Sequence, residues 1–434
     1  MLKNESMKTT YSILVCCLLL FSCNAHSQDT VQRGKLYNAR TLEVNPKLSY
    51  ALYIPQKENY SKRIAYFFFD PSGDGSYPLK IYQSIADSLG VVLIGNNASK
   101  NGMSFNAIAE NFAAISTEVL RKLEINKDNM CLWGFSGGAK AAMYCADNFD
   151  YHYAIYGGAV YPEMQHQLDL LGINGKKDMN YTELLAYDIS QQNNTNHLQI
   201  EWEGKHSWPD SLTATDAFKW FLFRKMQKNE IKWDAKLIQK TNIAFVKNVN
   251  QLYKTKQYYK TYINGKKTII MLDKLSNVQP VKNIIGTVVK SQSFLNEMKQ
   301  LENQYQKETK LKNQYIANLQ TQDSLYWKTE TNKLYALANT DKYGIYERLL
   351  GFLSLAAYSV STESFRQNKL DNLPNILALY RYADPQNAEY AFLSAKYYLL
   401  KNDIIQAKAY KQVALNLGMD TSRFTQDELL SKLP

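Results

Sequence analysis

Cysteine and histidine are scarce in this chain, and what they leave out narrows the chemistry. The 434 residues hold five of each. Cys16 and Cys17 lie in an apolar N-terminal run that Cys23 closes, which leaves only Cys131 and Cys145 in the body of the chain. One falls on an expected strand and the other on the helix after it, so no structural disulfide is expected. No C-x-x-C or His/Cys cluster occurs, and no structural metal or cofactor is expected. The apolar run Tyr11–Phe21 is short for a membrane span. Glycine becomes sparse beyond residue 226, where no glycine-rich loop or strand alternation like that of the first half recurs.

The most informative residues present are Gly134-Phe135-Ser136-Gly137-Gly138. The apolar run Asn129–Trp133 precedes them, and the helix-forming run Ala139–Cys145 follows. A G-x-S-x-G between a strand and a helix is a nucleophile elbow, a strained turn that exposes the serine hydroxyl. A Cβ at Gly134 or Gly138 is expected to collide with the neighbouring strand or helix. The competing reading is an ordinary glycine-rich turn.

A serine nucleophile needs a base, and only five histidines compete. His26 follows the leader, His152 opens a strand, His166 sits in a polar stretch and His197 starts the strand-like run Leu198–Trp202. His206 lies just beyond that run, in Glu203–Pro209, where a general base would stand after a late strand. The bland alternative is a surface loop histidine. Between serine and histidine, the strand-like run Leu168–Ile173 leads into a loop with Asp178. Asp178 suits an acid that orients the imidazole, and equally a cap for the helix near Tyr181. Asp169 lies inside the strand, Asp188 in the following helix, and Asp210 comes after the histidine.

Acyl transfer also needs donors for the developing oxyanion. The amide of Gly137 is one candidate. The second is expected from Gly73 or Asp74, in the loop Asp70–Gly75 that follows the apolar strand Ile64–Phe69. That loop also reads as a plain Pro/Gly turn. Apolar strands alternating with helices from residue 63 to the closing helix Asp210–Met226 predict a mostly parallel sheet covered by helices.

With these motifs assembled, residues 47–226 resemble the α/β-hydrolase superfamily. Within it they are similar to the feruloyl esterase, acetyl xylan esterase and poly(3-hydroxybutyrate) depolymerase-like branch. Tyr50–Pro55, the elbow at Ser136, the Gly172/Gly175/Asp178 loop and His206-Ser207-Trp208-Pro209 carry the likeness. It implies Ser136 as nucleophile, Asp178 as acid, His206 as base, and acyl or feruloyl groups on polysaccharides as substrates. Many relatives have His-Gly where this chain has Ser72-Gly73. The short intervals between the three residues leave little room for a lid, so an open site is expected.

Lys3 and Lys8 before the apolar run fit a signal peptide over residues 1–22, and Leu20-Phe21-Ser22-Cys23 resembles a lipoprotein lipobox with Cys23 as the lipidated residue. The alternative is cleavage near Ala25 without lipid. Either way an exported protein is expected, in the bacterial cell envelope when lipidated. Residues 23–46 are expected to form a tether and first edge strand.

Residues 227–434 read as an all-α domain with long amphipathic stretches such as Ser293–Gln322. Near 387–418, Ala391, Ala395, Tyr398, Ala407 and Ala414 resemble a tetratricopeptide-like hairpin, against a generic helical bundle. Leu252–Tyr262 is comparable, although Asn264-Gly265 equally suits a hairpin turn. This half carries a net charge of +12 and the rest −1. The basic surface is either simply solvated or a dock for acidic glycan, lipopolysaccharide or an anionic protein; outside the cytoplasm nucleic acid is not expected. The leading expectation is a lipid-anchored serine esterase. A serine peptidase of the same fold and a non-catalytic envelope scaffold are the alternatives.

Overall fold

The computed structural model describes residues 31–191 and 193–433, so Cys23 and the leader lie outside the described residues. The strands are β1 (Leu36–Thr41), β2 (Ser49–Tyr53), β3 (Ala65–Phe69), β4 (Val92–Asn96), β5 (Met130–Phe135), β6 (Tyr153–Gly157), β7 (Asp169–Gly175) and β8 (His197–Trp202). They form one sheet in the order β1-β2-β4-β3-β5-β6-β7-β8. Pairing is antiparallel from β1 through β2 to β4 and parallel across the rest. This is the mostly parallel, helix-covered sheet that the strand rhythm predicted.

Both faces of the sheet are buried, which is why its central strands are apolar throughout. Along β3, Tyr66 and Phe68 enter the core on one face, and Ala65, Phe67 and Phe69 enter the core on the other. The first face is covered by α1 (Ser76–Leu89) and α5 (Ser211–Gln227). The second is covered by α2 (Phe105–Lys122), α3 (Gly137–Asn148) and α4 (Tyr181–Ser190). Cys131 and Cys145 belong to opposite faces, and both are free and buried. Burial pushes both thiols up, so neither is an activated nucleophile.

Beyond α5 the described chain is helical: α6 (Ala235–Lys254), α7 (Tyr258–Leu272), α8 (Gln279–Val288), α9 (Gln292–Asn318), α10 (Ser324–Ala338), α11 (Ile345–Gln367), α12 (Leu373–Ala383), α13 (Ala388–Leu400), α14 (Ile404–Asn416) and α15 (Ser422–Gln426). No described helix is long and apolar enough to cross a membrane. The change in secondary structure at α6 is not a break in packing. Ile238 and Phe245 of α6, with Met271 and Leu272 of α7, join the same apolar cluster as the sheet. Helices α9 to α14 build a second core around Trp327, Leu349 and Leu353. In the α13/α14 pair, Ala391, Ala395, Ala407 and Ala414 are fully buried, and Tyr398 stacks on Tyr410 at 5.4 Å. Asn264-Gly265 is not a hairpin turn. It lies inside α7, where a Cβ on Gly265 would fall 2.2 Å from Ile285 of α8, so the glycine serves close helix packing.

One buried ion pair links the helical half to the sheet. The Arg348 guanidinium, fully buried on α11, donates to Glu308 Oε2 of α9 at 2.5 and 2.9 Å and to the Lys176 carbonyl after β7 at 2.5 Å. Lys312 Nζ lies 2.9 Å from the other Glu308 oxygen and donates to the Met179 carbonyl at 2.8 Å. Removing one partner of a buried pair strands the other charge. Arg348→Met is therefore expected to cost about 3 kcal/mol in urea unfolding. A loss below ~0.5 kcal/mol would show that the pair does not hold the two halves together.

Candidate active site

Ser136 stands where β5 passes into α3, at φ 53 and ψ −126. A positive φ is strained for serine, at about 1–3 kcal/mol, and its neighbours hold it there. The Ser136 amide donates to the Gly157 carbonyl at 2.7 Å. A Cβ on Gly134 would sit 2.0 Å from the Gly138 carbonyl oxygen of α3, and one on Gly138 would sit 2.0 Å from the Phe69 carbonyl oxygen of β3. The two glycines let strand and helix close on the turn, as the steric argument from sequence required.

The structure brings the three expected side chains together. His206 Nε2 lies 2.9 Å from Ser136 Oγ, and Nδ1 lies 2.9 Å from both Asp178 oxygens. With Nδ1–H donating to the carboxylate, Nε2 is left as acceptor for the serine hydroxyl. Asp178 is buried, and Phe135 packs 4.8 Å from the imidazole, so the ring is held on its flank as well as at both nitrogens. Asp178 Oδ1 also accepts from the Asn180 amide at 2.9 Å. That bond closes a turn ahead of α4 and is not a helix cap: the N-cap is Asn180 and no side chain caps it, so the capping expectation for Asp178 does not hold.

The rival residues are used elsewhere. Asp169, at the far end of β7, pairs with Arg224 and Lys228. Asp188 faces the buried His197, whose other ring nitrogen lies 2.8 Å from the Tyr156 hydroxyl. Asp210 caps α5 by accepting from the Thr213 amide at 2.8 Å. His152 and His166 are exposed near Asp128 and Asp147. Among the described residues no group of three or more His, Cys, Asp or Glu could hold a metal ion.

The oxyanion loop departs from expectation. The Gly73 amide donates to the Asp70 carbonyl at 3.1 Å, and the Asp74 amide donates to Ser72 Oγ at 3.3 Å. Both are bonded within the turn, because Asp70 folds the loop back on itself. The Gly137 amide is at the first turn of α3, where no intrahelical acceptor exists for it.

Two parts of the site were not readable from local sequence. The acid loop is clamped by the helical half, through Arg348 and Lys312 as above and a Lys177–Glu347 pair at 2.9 Å. A cleft of 650 Å³ opens beside His206, with Tyr335, Leu350, Leu355, Tyr358 and Tyr380 among its walls. One wall arrives from more than a hundred residues downstream, and spacing along the chain carries no signal of it. Chemically, the arrangement can activate a serine hydroxyl through an imidazole that a carboxylate orients.

The histidine loop is tied to the oxyanion loop by Trp208, whose indole N–H donates to buried Asp70 Oδ2 at 2.8 Å. Trp208→Phe leaves that carboxylate oxygen unpaired and is expected to lower unfolding stability by ~1–3 kcal/mol. Urea denaturation checks this; a change under ~0.5 kcal/mol would mean the tie is idle.

No family model and no curated protein matches the chain. Solved structures similar to it include an α/β serine hydrolase without a lid from Xanthomonas campestris, 17% identical, covering 45% of this chain and 97% of its own, with a TM-score of 0.35. A carboxylesterase from Mesorhizobium loti is 16% identical over 41% of this chain and 96% of its own, with a TM-score of 0.33. Est1E from Butyrivibrio proteoclasticus is 14% identical over 44% and 99%, with a TM-score of 0.36.

Proposed function

We propose that this chain is an exported serine esterase. The observation that carries the reading is the Asp178–His206–Ser136 line, with both imidazole nitrogens at 2.9 Å from their partners and the serine on a strained elbow. In this reading Ser136 Oγ attacks the ester carbonyl while His206 Nε2 takes its proton. Asp178 fixes the tautomer and stabilises the imidazolium. The Gly137 amide donates to the oxyanion, and the dipole of α3 points its positive end the same way. Collapse of the tetrahedral species expels the alcohol, which takes the proton back from His206. Water then repeats the cycle on the acyl-enzyme, and no cofactor enters.

The substrates we infer are acyl or feruloyl esters borne on polysaccharide. Support comes from the resemblance in sequence and from the cleft beside His206, whose tyrosines offer flat faces to sugar or phenolic rings. Lipidation at Cys23 would place the enzyme on a membrane in the cell envelope. The basic helices, including the tetratricopeptide-like α13/α14 pair, would meet an acidic glycan or an anionic protein there. Part of their positive charge is already neutralised internally, as Lys228 pairs with Asp169 and Lys267 with Asp216.

Labelling with a fluorophosphonate probe tests the reaction class. The wild-type chain is expected to label and to hydrolyse short-chain p-nitrophenyl or feruloyl esters. Ser136→Ala is expected not to label and to lose at least ~10³-fold in kcat. Labelling that survives Ser136→Ala, or a wild-type chain inert to probe and esters alike, would contradict the reading.

A further inference from the structure

The turn after β3 has no amide left for an oxyanion. Pro71 has no N–H. The Ser72 amide donates to Asp70 Oδ1 at 2.9 Å, Gly73 to the Asp70 carbonyl at 3.1 Å and Asp74 to Ser72 Oγ at 3.3 Å. Gly75 donates to Asn97 Oδ1 at 2.9 Å, and Ser76 to Asp74 Oδ1 at 3.0 Å. A serine hydrolase normally takes its second oxyanion donor from this turn. Here every amide from residue 72 to 76 already has an acceptor.

A different loop fills the space. Residues 97–104, between β4 and α2, dock on the turn: the Asn101 amide donates to the Pro71 carbonyl at 2.9 Å, and a Cβ on Gly73 would sit 3.2 Å from Lys100 Cβ. Docking lays the Asn101 side chain directly over Gly137. A Cβ on Gly137 would fall 1.8 Å from Asn101 Oδ1 and 3.4 Å from Nδ2. Among the described residues no hydrogen bond holds that side-chain amide. Asn101, Pro71 and Gly137 line one recess of 160 Å³.

We propose that Asn101 supplies the second oxyanion donor. Its Nδ2–H converges with the Gly137 amide on the carbonyl oxygen as charge develops there. The terminal torsion of asparagine is broad and soft, so presenting nitrogen rather than oxygen needs only a turn about that bond. The glycine after the nucleophile is then explained, since any side chain at 137 would displace Asn101. The proposal rests on the esterase reading of Ser136 and deepens it. Asn101 becomes a catalytic residue, because it touches a reacting atom.

Asn101→Ala and Asn101→Asp in the full chain test it, with p-nitrophenyl acetate as substrate and phenylboronic acid as the tetrahedral mimic. Asn101 is exposed, so neither change disturbs the core. Asn101→Ala is expected to lower kcat by ~10²–10³-fold with KM nearly unchanged, and to weaken boronate binding to a similar degree. Asn101→Asp, which sets a carboxylate against the oxyanion, is expected to fall further. A kcat within about threefold of wild type in Asn101→Ala, or a rise in KM alone, would overturn the assignment and return the role to the Gly73–Asp74 turn. Fluorophosphonate labelling of the wild-type chain separates the two claims. Ser136-dependent labelling with an unaffected Asn101→Ala sinks only the Asn101 assignment; a wild-type chain that does not label sinks the esterase reading beneath it.

Discussion

A serine held at positive φ between two glycines is the constraint around which the site is organised. Its strain persists because β3, β5 and α3 meet within contact distance at Gly134 and Gly138, leaving the turn no relaxed alternative. The sheet beneath is buried on both faces, so the strand ends that carry Ser136, Asp178 and His206 are fixed relative to one another. Preorganisation of this kind means that little of the reacting geometry has to be assembled during turnover.

The helical half enters the same frame. Arg348, Lys312 and Glu347 hold the carbonyls and side chain of residues 176–179, the loop that presents Asp178. A guanidinium with no exposure is costly unless its hydrogen bonds are met, and here Glu308 and two backbone carbonyls, of Lys176 and Tyr343, meet them. The helices after residue 227 are therefore part of the support for the acid and one wall of the cleft beside the base.

Much of this was legible in the chain. Apolar strands, the elbow and the order of Ser136, Asp178 and His206 are local patterns with a physical reason at each position, and the geometry follows them closely. What was not legible depends on contacts between distant segments. Asp70 reads as a turn residue, yet its carbonyl takes the Gly73 amide while its carboxylate takes the Ser72 amide and the Trp208 indole, and Ser72 Oγ takes the Asp74 amide, so the expected donors are occupied. Asn101 reads as an ordinary loop asparagine until its loop docks on Pro71. Arg348 is one cation among many in a basic half, and only packing shows that it points inward. Asn264-Gly265 carries a strong local turn signal, and helix packing against Ile285 overrides it.

If Ser136 is the nucleophile, it forms a covalent acyl-enzyme in each turnover. Acid-quenching the wild-type chain during turnover of p-nitrophenyl acetate, followed by peptide mapping with mass spectrometry, reads that intermediate directly. A single acetyl group is expected on the peptide that contains Ser136, absent from Ser136→Ala. Steady hydrolysis with that peptide unmodified, or acetyl carried on another residue as the competent intermediate, would contradict that role for Ser136.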